Sequence, residues 1–177
     1  DGGGVVTFDM TNVRPRGSII HGFGGTASGP GPLIELLVTV AEVLNRCSGR
    51  KLTSLDLMEI DHAIAGCVIS GNVRRSARMS IKNWADADIF DFITCKADHA
   101  SHWSTNISVE IDADFHFALA GGDNTAAHQK ALDVYEWVVD GMIANGEPGF
   151  WNAALASDGE KAALCPNPCG EIGLEEW

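Results

Sequence analysis

The sequence predicts an α/β fold with substantial parallel strand pairing. Segments whose apolar residues recur at helical spacing alternate with short, β-branched or alternating segments through most of the 177 residues. Turns rich in Gly, Pro and Asn separate them, and a chain of this length that is 45% hydrophobic can bury a real core. Strands joined through helices pair in parallel far more readily than strands joined by tight turns.

The elements follow in order. Residues 2–8, GGGVVTF, read as a glycine-led turn entering a short strand. VRPRGSIIHGFGGTASGPGP is a long Gly/Pro-rich loop whose backbone N–H groups are expected to be available to an anion. Pro32 opens a helix with apolar positions 33, 34, 37, 40, 41 and 44, ending near Gly49. Thr53 and Asp56 form a capping-box pattern for a second helix, with a stripe through Leu57, Ile60, Ile64, Cys67 and Val68 and a stop at Gly71. NVRRSARMSI is a loop becoming a strand, DADIFDFITCK a short helix with Asp86 near its start, and WSTNISVEID a strand. Residues 125–144 make the clearest amphipathic helix, closing at Asn145-Gly146, and GFWNAAL reads as a further strand before a polar loop. A sheet of about four strands would leave open edges. The chain therefore reads as one piece of a larger domain, spanning 1–177 and cut at both ends.

Charge narrows the function classes. With 24 acids against 12 bases the net charge is −12, which repels a phosphate backbone, so nucleic-acid binding is not expected. Arg14 with Arg16, and Arg74 with Arg75 and Arg78, are local exceptions suited to a small phosphorylated ligand, unless they are ordinary surface ion pairs. No apolar run approaches the roughly 20 residues of a membrane helix, and no basic-then-apolar leader opens the chain, so a cytoplasmic location is expected.

The five cysteines lack a secreted-scaffold spacing. Cys47, Cys67 and Cys95 fall in helical segments among apolar neighbours and read as core filler. Cys165 and Cys169 lie on a loop, where a zinc site would need two further ligands that no nearby Cys or His pair supplies. In NPCGE, Asn167, Cys169 and Glu171 occupy alternate positions behind a stiffening Pro168. Pro168 holds that stretch extended, so amide, thiol and carboxylate share one face, and a dry pocket around them would partly desolvate Glu171.

Four segments, GGGVVTFDMTNVRPRG, GGTASGP, GNVRRSARMSI and NPCGEI, together resemble the catalytic chain of ribonucleotide reductases. Their order and spacing are similar to the adenosylcobalamin-dependent (class II) branch, and the resemblance spans essentially the whole chain. It implies part of a ten-stranded α/β barrel with a finger loop, and reduction of ribonucleotides to deoxyribonucleotides by a thiyl-radical mechanism. Cys169 would carry the radical and remove the 3′ hydrogen, Glu171 would be the base for the 3′ hydroxyl, and Asn167 would hydrogen-bond the sugar hydroxyls. Arg14, Arg16, Gly25, Ser28, Asn72, Arg74, Arg75, Ser76 and Asn106 would belong to loops between a deoxynucleoside triphosphate effector and the substrate, with no metal bound by the chain. WSTNISV departs from the family's two adjacent asparagines, since Ile107 follows Asn106, which puts a polar contact at 107 in doubt.

The same resemblance implies adenosylcobalamin as cofactor, a thioredoxin-like reductant, and a cysteine pair outside residues 1–177, so this piece alone is expected to be inactive. The helices at 33–47 and 54–70 would form a homodimer face or a buried face within one barrel. Two alternatives stay open: a reductase using a separate radical subunit, and a nucleotide-binding module without catalysis.

Overall fold

Three parallel strands, β1 (Arg78–Asn83), β2 (Thr105–Ile111) and β3 (Gly149–Asn152), form the sheet in that order. The computed structural model describes residues 6–22, 24–69, 76–98, 100–158 and 163–175. Before the sheet come helices α1 (Gly31–Arg46) and α2 (Ser54–Ile69), packed on one another. Helix α3 (Ile89–Thr94) joins β1 to β2, while α4 (Ala113–Leu119) and α5 (Thr125–Asn145) join β2 to β3. After β3 a short α6 (Ala153–Ala156) precedes a two-stranded antiparallel hairpin, β4 (Cys165–Pro166) and β5 (Gly173–Leu174). The expected α/β architecture with parallel pairing is what forms.

Register explains how the sheet divides its labour. Arg78 pairs with Thr105, Met79 with Asn106 and Ser80 with Ile107, in parallel. Side chains alternate along a strand, so Thr105, Ile107, Val109 and Ile111 share one face and Asn106, Ser108 and Glu110 the other. The first face is buried: Ile107, Val109 and Ile111 join Ile89, Phe92 and Ile93 near α3, Phe115 of α4, and Ala131, Val134 and Val138 of α5 in the core. Helices therefore cover one side of the sheet, and the opposite side is left for the hairpin that carries Cys169.

Local chemistry sets the helix ends. Thr53 N donates to Asp56 Oδ2 at 2.8 Å and Asp56 N donates to Thr53 Oγ1 at 3.3 Å, the reciprocal geometry of a capping box. Asn124 Oδ1 accepts from the backbone N–H of Ala126 and Ala127 to start α5, and Gly146, at φ +84°, ends it in the left-handed region. Helix α4 is not foreseen by the sequence reading. Asp112 nucleates it by accepting from Phe115 N at 2.8 Å while also taking Trp84 Nε1 at 2.9 Å.

Two expectations need correction. Residues 6–8 of the first expected strand are irregular, with Val6 and Phe8 exposed and no strand pairing to them among the described residues. An apolar run without a partner gains no ladder. In α2 the expected stripe faces the wrong way: Leu57 is 54% exposed, Ile64 and Val68 are also exposed, and Met58 and Ala65 are buried instead. The helix is apolar on most sides, so spacing alone does not select the face that meets the sheet. Of the cysteines, Cys47 is buried, Cys67 and Cys95 are half-buried, and Cys165 and Cys169 are exposed. Cys95 Sγ lies 3.8 Å from Met58 Sδ, and burial pushes its thiol up to about 11.

Candidate active site

The NPCGE segment is a turn rather than an extended strip. Gly170 N donates to Asn167 O at 2.9 Å and Asn167 N donates to Ile172 O at 2.9 Å, so the chain reverses between β4 and β5. Pro168 occupies the second position of this turn, where its fixed φ is favourable, and Gly170 takes φ +86°. The shared-face argument from alternate positions is thus corrected. Asn167 and Glu171 do meet, but because the chain folds back. Asn167 Nδ2 donates to Glu171 Oε1 at 2.8 Å, and Asn167 Oδ1 accepts from Ile172 N at 3.1 Å. Cys169 sits at the tip, exposed and free. Glu171 is exposed too, so the described residues do not supply the desolvation expected for it.

Asn106 bonds this turn to the sheet, and Met79 lies beside it. Asn106 Nδ2 donates to Pro168 O at 2.7 Å, across 62 residues of chain. A Cβ added at Gly170 would lie 3.9 Å from Met79 Cε. Met79 and Asn106 are register partners, so neighbouring strands present one platform to the turn. Asn106, expected to belong to the effector and substrate loops, bonds here to the turn that carries Cys169. Ile107, the departure from the family's paired asparagines, is 2% exposed on the opposite, core face.

The remaining candidates fall elsewhere. Arg14 and Arg16 are exposed on the 13–29 loop, Gly25 adopts φ +78° within it, and Ser28 is half-buried. The loop closes on itself: Gly17 N donates to Ala27 O, Ala27 N to Ser18 O, Ile20 N to Gly25 O and Gly24 N to Ile20 O. These four N–H groups are therefore occupied, against the expectation that the loop leaves them open to an anion. A Cβ on Gly29 would approach Arg16 N to 2.9 Å, which ties the two ends of the loop together. Ser76 is half-buried just before β1, whereas Asn72, Arg74 and Arg75 lie outside the described residues.

Sequence reading missed Met79, Asp61 and Glu110. Alternation along TNISVEI could have placed Glu110 on the face of Asn106. There burial, and secondarily the charge of Asp112, raises its carboxyl above the ordinary value, while Asn83 opposes the rise. A cleft of about 520 Å³ lies between α2, the open edge of β1 and α3, lined among others by Met58, Asp61, Lys82 and Glu110, not by residues of the Cys169 turn. Among the described residues no cluster of three or more His, Cys, Asp or Glu could hold a metal ion. No described helix is long and apolar enough to cross a membrane.

Residues 2–44 match the family described as B12-dependent ribonucleotide reductase, insertion domain. A protein of Mycobacterium phage D29, provisionally named an adenosylcobalamin-dependent ribonucleoside-triphosphate reductase, is 47% identical over 96% of this chain and 26% of its own length. The adenosylcobalamin-dependent ribonucleoside-triphosphate reductase of Lacticaseibacillus paracasei is 40% identical over 96% of this chain and 22% of its own. A crystal structure of a B12-dependent (class II) ribonucleotide reductase superposes with a TM-score of 0.68 at 35% identity, covering 92% of this chain and 22% of that one. The chain belongs with the adenosylcobalamin-dependent, class II ribonucleotide reductases. It spans about a quarter of the length of the curated relatives it matches.

Proposed function

We propose that this chain is the finger-loop segment of the catalytic barrel of a class II reductase, which converts ribonucleoside di- or triphosphates to deoxyribonucleotides. The observation that carries the reading is the turn itself: an exposed thiol at its tip, with an amide and a carboxylate hydrogen-bonded to one another beneath it. Relatives named as triphosphate reductases favour the triphosphate as substrate.

In this reading Cys169, as a thiyl radical, abstracts the ribose 3′ hydrogen and becomes a thiol; after reduction it returns the hydrogen. Glu171 accepts the 3′ hydroxyl proton. Asn167 holds the Glu171 carboxylate in place and turns its amide toward the sugar hydroxyls when substrate displaces that bond. The 2′ hydroxyl leaves as water, and the two electrons come from a dithiol that becomes a disulfide, in cysteines assigned to other parts of the protein. Adenosylcobalamin, when bound, supplies the radical that oxidises Cys169. The chain's own fit to that role is the accessible Sγ, free at the turn tip. A dry, rigid pocket formed around that tip by the rest of the barrel would limit side reactions of a radical centre.

The finer assignments rest on the same resemblance. Arg14, Arg16, Gly25 and Ser28 contribute to an effector site for a deoxynucleoside triphosphate. Asn72, Arg74, Arg75 and Ser76 form the loop that relays effector identity to substrate. The protein works in the cytoplasm with a thioredoxin-like reductant, and the exposed apolar faces of α1 and α2 belong to a homodimer face or to a covered face within one barrel.

Anaerobic incubation of the full-length protein with adenosylcobalamin, effector and substrate tests the cofactor assignment. Cobalt–carbon cleavage seen in the visible spectrum is expected. An unchanged spectrum together with nucleotide reduction that needs a second, metal-containing subunit would overturn it.

A further inference from the structure

The two strand residues that support the Cys169 turn are themselves preceded by a clip on the opposite face of the sheet. Asp61 of α2 forms an ion pair with Arg78, the first residue of β1. Its other carboxylate oxygen accepts from Thr105 Oγ1 at 3.2 Å. Arg78 and Thr105 are register partners, so one carboxylate bridges the first pair of the β1–β2 ladder. Thr105 is 1% exposed, and its carbonyl is held as well by Lys96 Nζ at 2.6 Å, while Lys96 pairs with Glu147 at 2.5 Å. The next register pair is Met79 with Asn106, the platform beneath the turn.

Strand geometry converts this into a positional constraint. Consecutive residues point to opposite faces at a rise of about 3.3 Å, so fixing Thr105 on the helix side fixes where Asn106 emerges on the other. The clip is part-buried and sits at the end of both strands, where ladders otherwise fray.

We propose that Asp61 is a positioning residue for Cys169: by bridging Arg78 and Thr105 it sets the Met79–Asn106 platform that holds the turn. The inference rests on Cys169 being the reacting thiol, as proposed above, but its test does not depend on turnover alone. Thr105→Val removes only the hydroxyl that donates to Asp61 and keeps the buried shape. Asp61→Ala removes the whole clip.

In the full-length protein, alkylation of Cys169 by iodoacetamide, followed on its peptide by mass spectrometry without cofactor, reads the turn's position directly. Thr105→Val is expected to change that alkylation rate by about threefold or more, because the exposed thiol shifts relative to its neighbours when the platform under the turn moves. It should also lower kcat by roughly tenfold with KM nearly unchanged, as a small misplacement of a reacting group does, and leave Tm close to wild type. Asp61→Ala should exceed both effects. Should that variant fail to fold, Thr105→Val alone decides. An unchanged Cys169 alkylation rate in Thr105→Val overturns the proposal whatever happens to activity. Altered alkylation in Thr105→Val alongside full turnover by Cys169→Ala would instead sustain the clip and sink the radical assignment.

Discussion

Asn167 and Glu171 are hydrogen-bonded at 2.8 Å across a turn whose tip is Cys169. In the role proposed for Glu171, its carboxylate must be aimed before substrate arrives, and the Asn167 amide would do the aiming. Asn167 is itself fixed by its Oδ1 bond to Ile172 N. In the full-length protein Glu171→Gln should lower kcat by about 10²-fold or more, the usual scale for losing a general base. Asn167→Ala should cost about tenfold and raise KM, since it loses both aim and a sugar contact. Steady-state nucleotide reduction with both variants checks this; equal, small effects would separate the pair from the chemistry.

Gly170 is the position where the turn tolerates least. At φ +86° a residue with a Cβ is strained by about 1 kcal/mol, whatever the surrounding space. Gly170→Ala is expected to lower activity by displacing Cys169 while leaving the thermal transition of the full protein nearly unchanged. A large drop in Tm with unaltered activity per folded molecule would contradict this.

Ile107 makes a prediction in the opposite direction. Restoring the family's second asparagine with Ile107→Asn places an amide at a 2% exposed position between the sheet and its helices. A buried amide without a partner costs roughly 2–4 kcal/mol. Loss of folded protein is expected, measurable by thermal unfolding, with no gain in substrate affinity.

That position also shows what the sequence could reveal. Capping residues and periodicity located α1, α2, α5 and β2 well, because Pro32, Thr53 with Asp56, and Gly146 act on their immediate neighbours. The alternating pattern of β2 could be read, yet which side meets helices depends on residues far along the chain. The stripe on α2 failed for the same reason. At the candidate site the residues Asn167, Cys169 and Glu171 were legible as chemistry. Their geometry was not, because a turn and an extended strip use the same prolines, and only the pairing of β4 with β5 selects the turn. Met79 and Asp61 carry no local signal at all; they matter through register.

Acid should unfasten the start of α2. Hydrogen bonds from Arg50, then from the backbone and hydroxyl of Thr53, hold the Asp56 carboxyl well below its ordinary range, and Lys82 holds Asp88 down to about 2. A carboxyl depressed on folding adds stability above its unfolded pKa of about 3.9, and that contribution fades as pH falls toward the folded value. The Tm difference between wild type and Asp56→Asn is therefore expected to be largest near neutral pH and to shrink below about pH 4. A difference independent of pH would mean the charge on Asp56 is not what caps the helix.

The most direct test of the account is nucleotide reduction by the full-length protein carrying Cys169→Ala, with adenosylcobalamin, effector and reductant supplied. Deoxynucleotide formation should vanish while the protein stays folded and still binds effector. Turnover at the wild-type rate would show that another group removes the 3′ hydrogen, and the role given to this turn would be wrong.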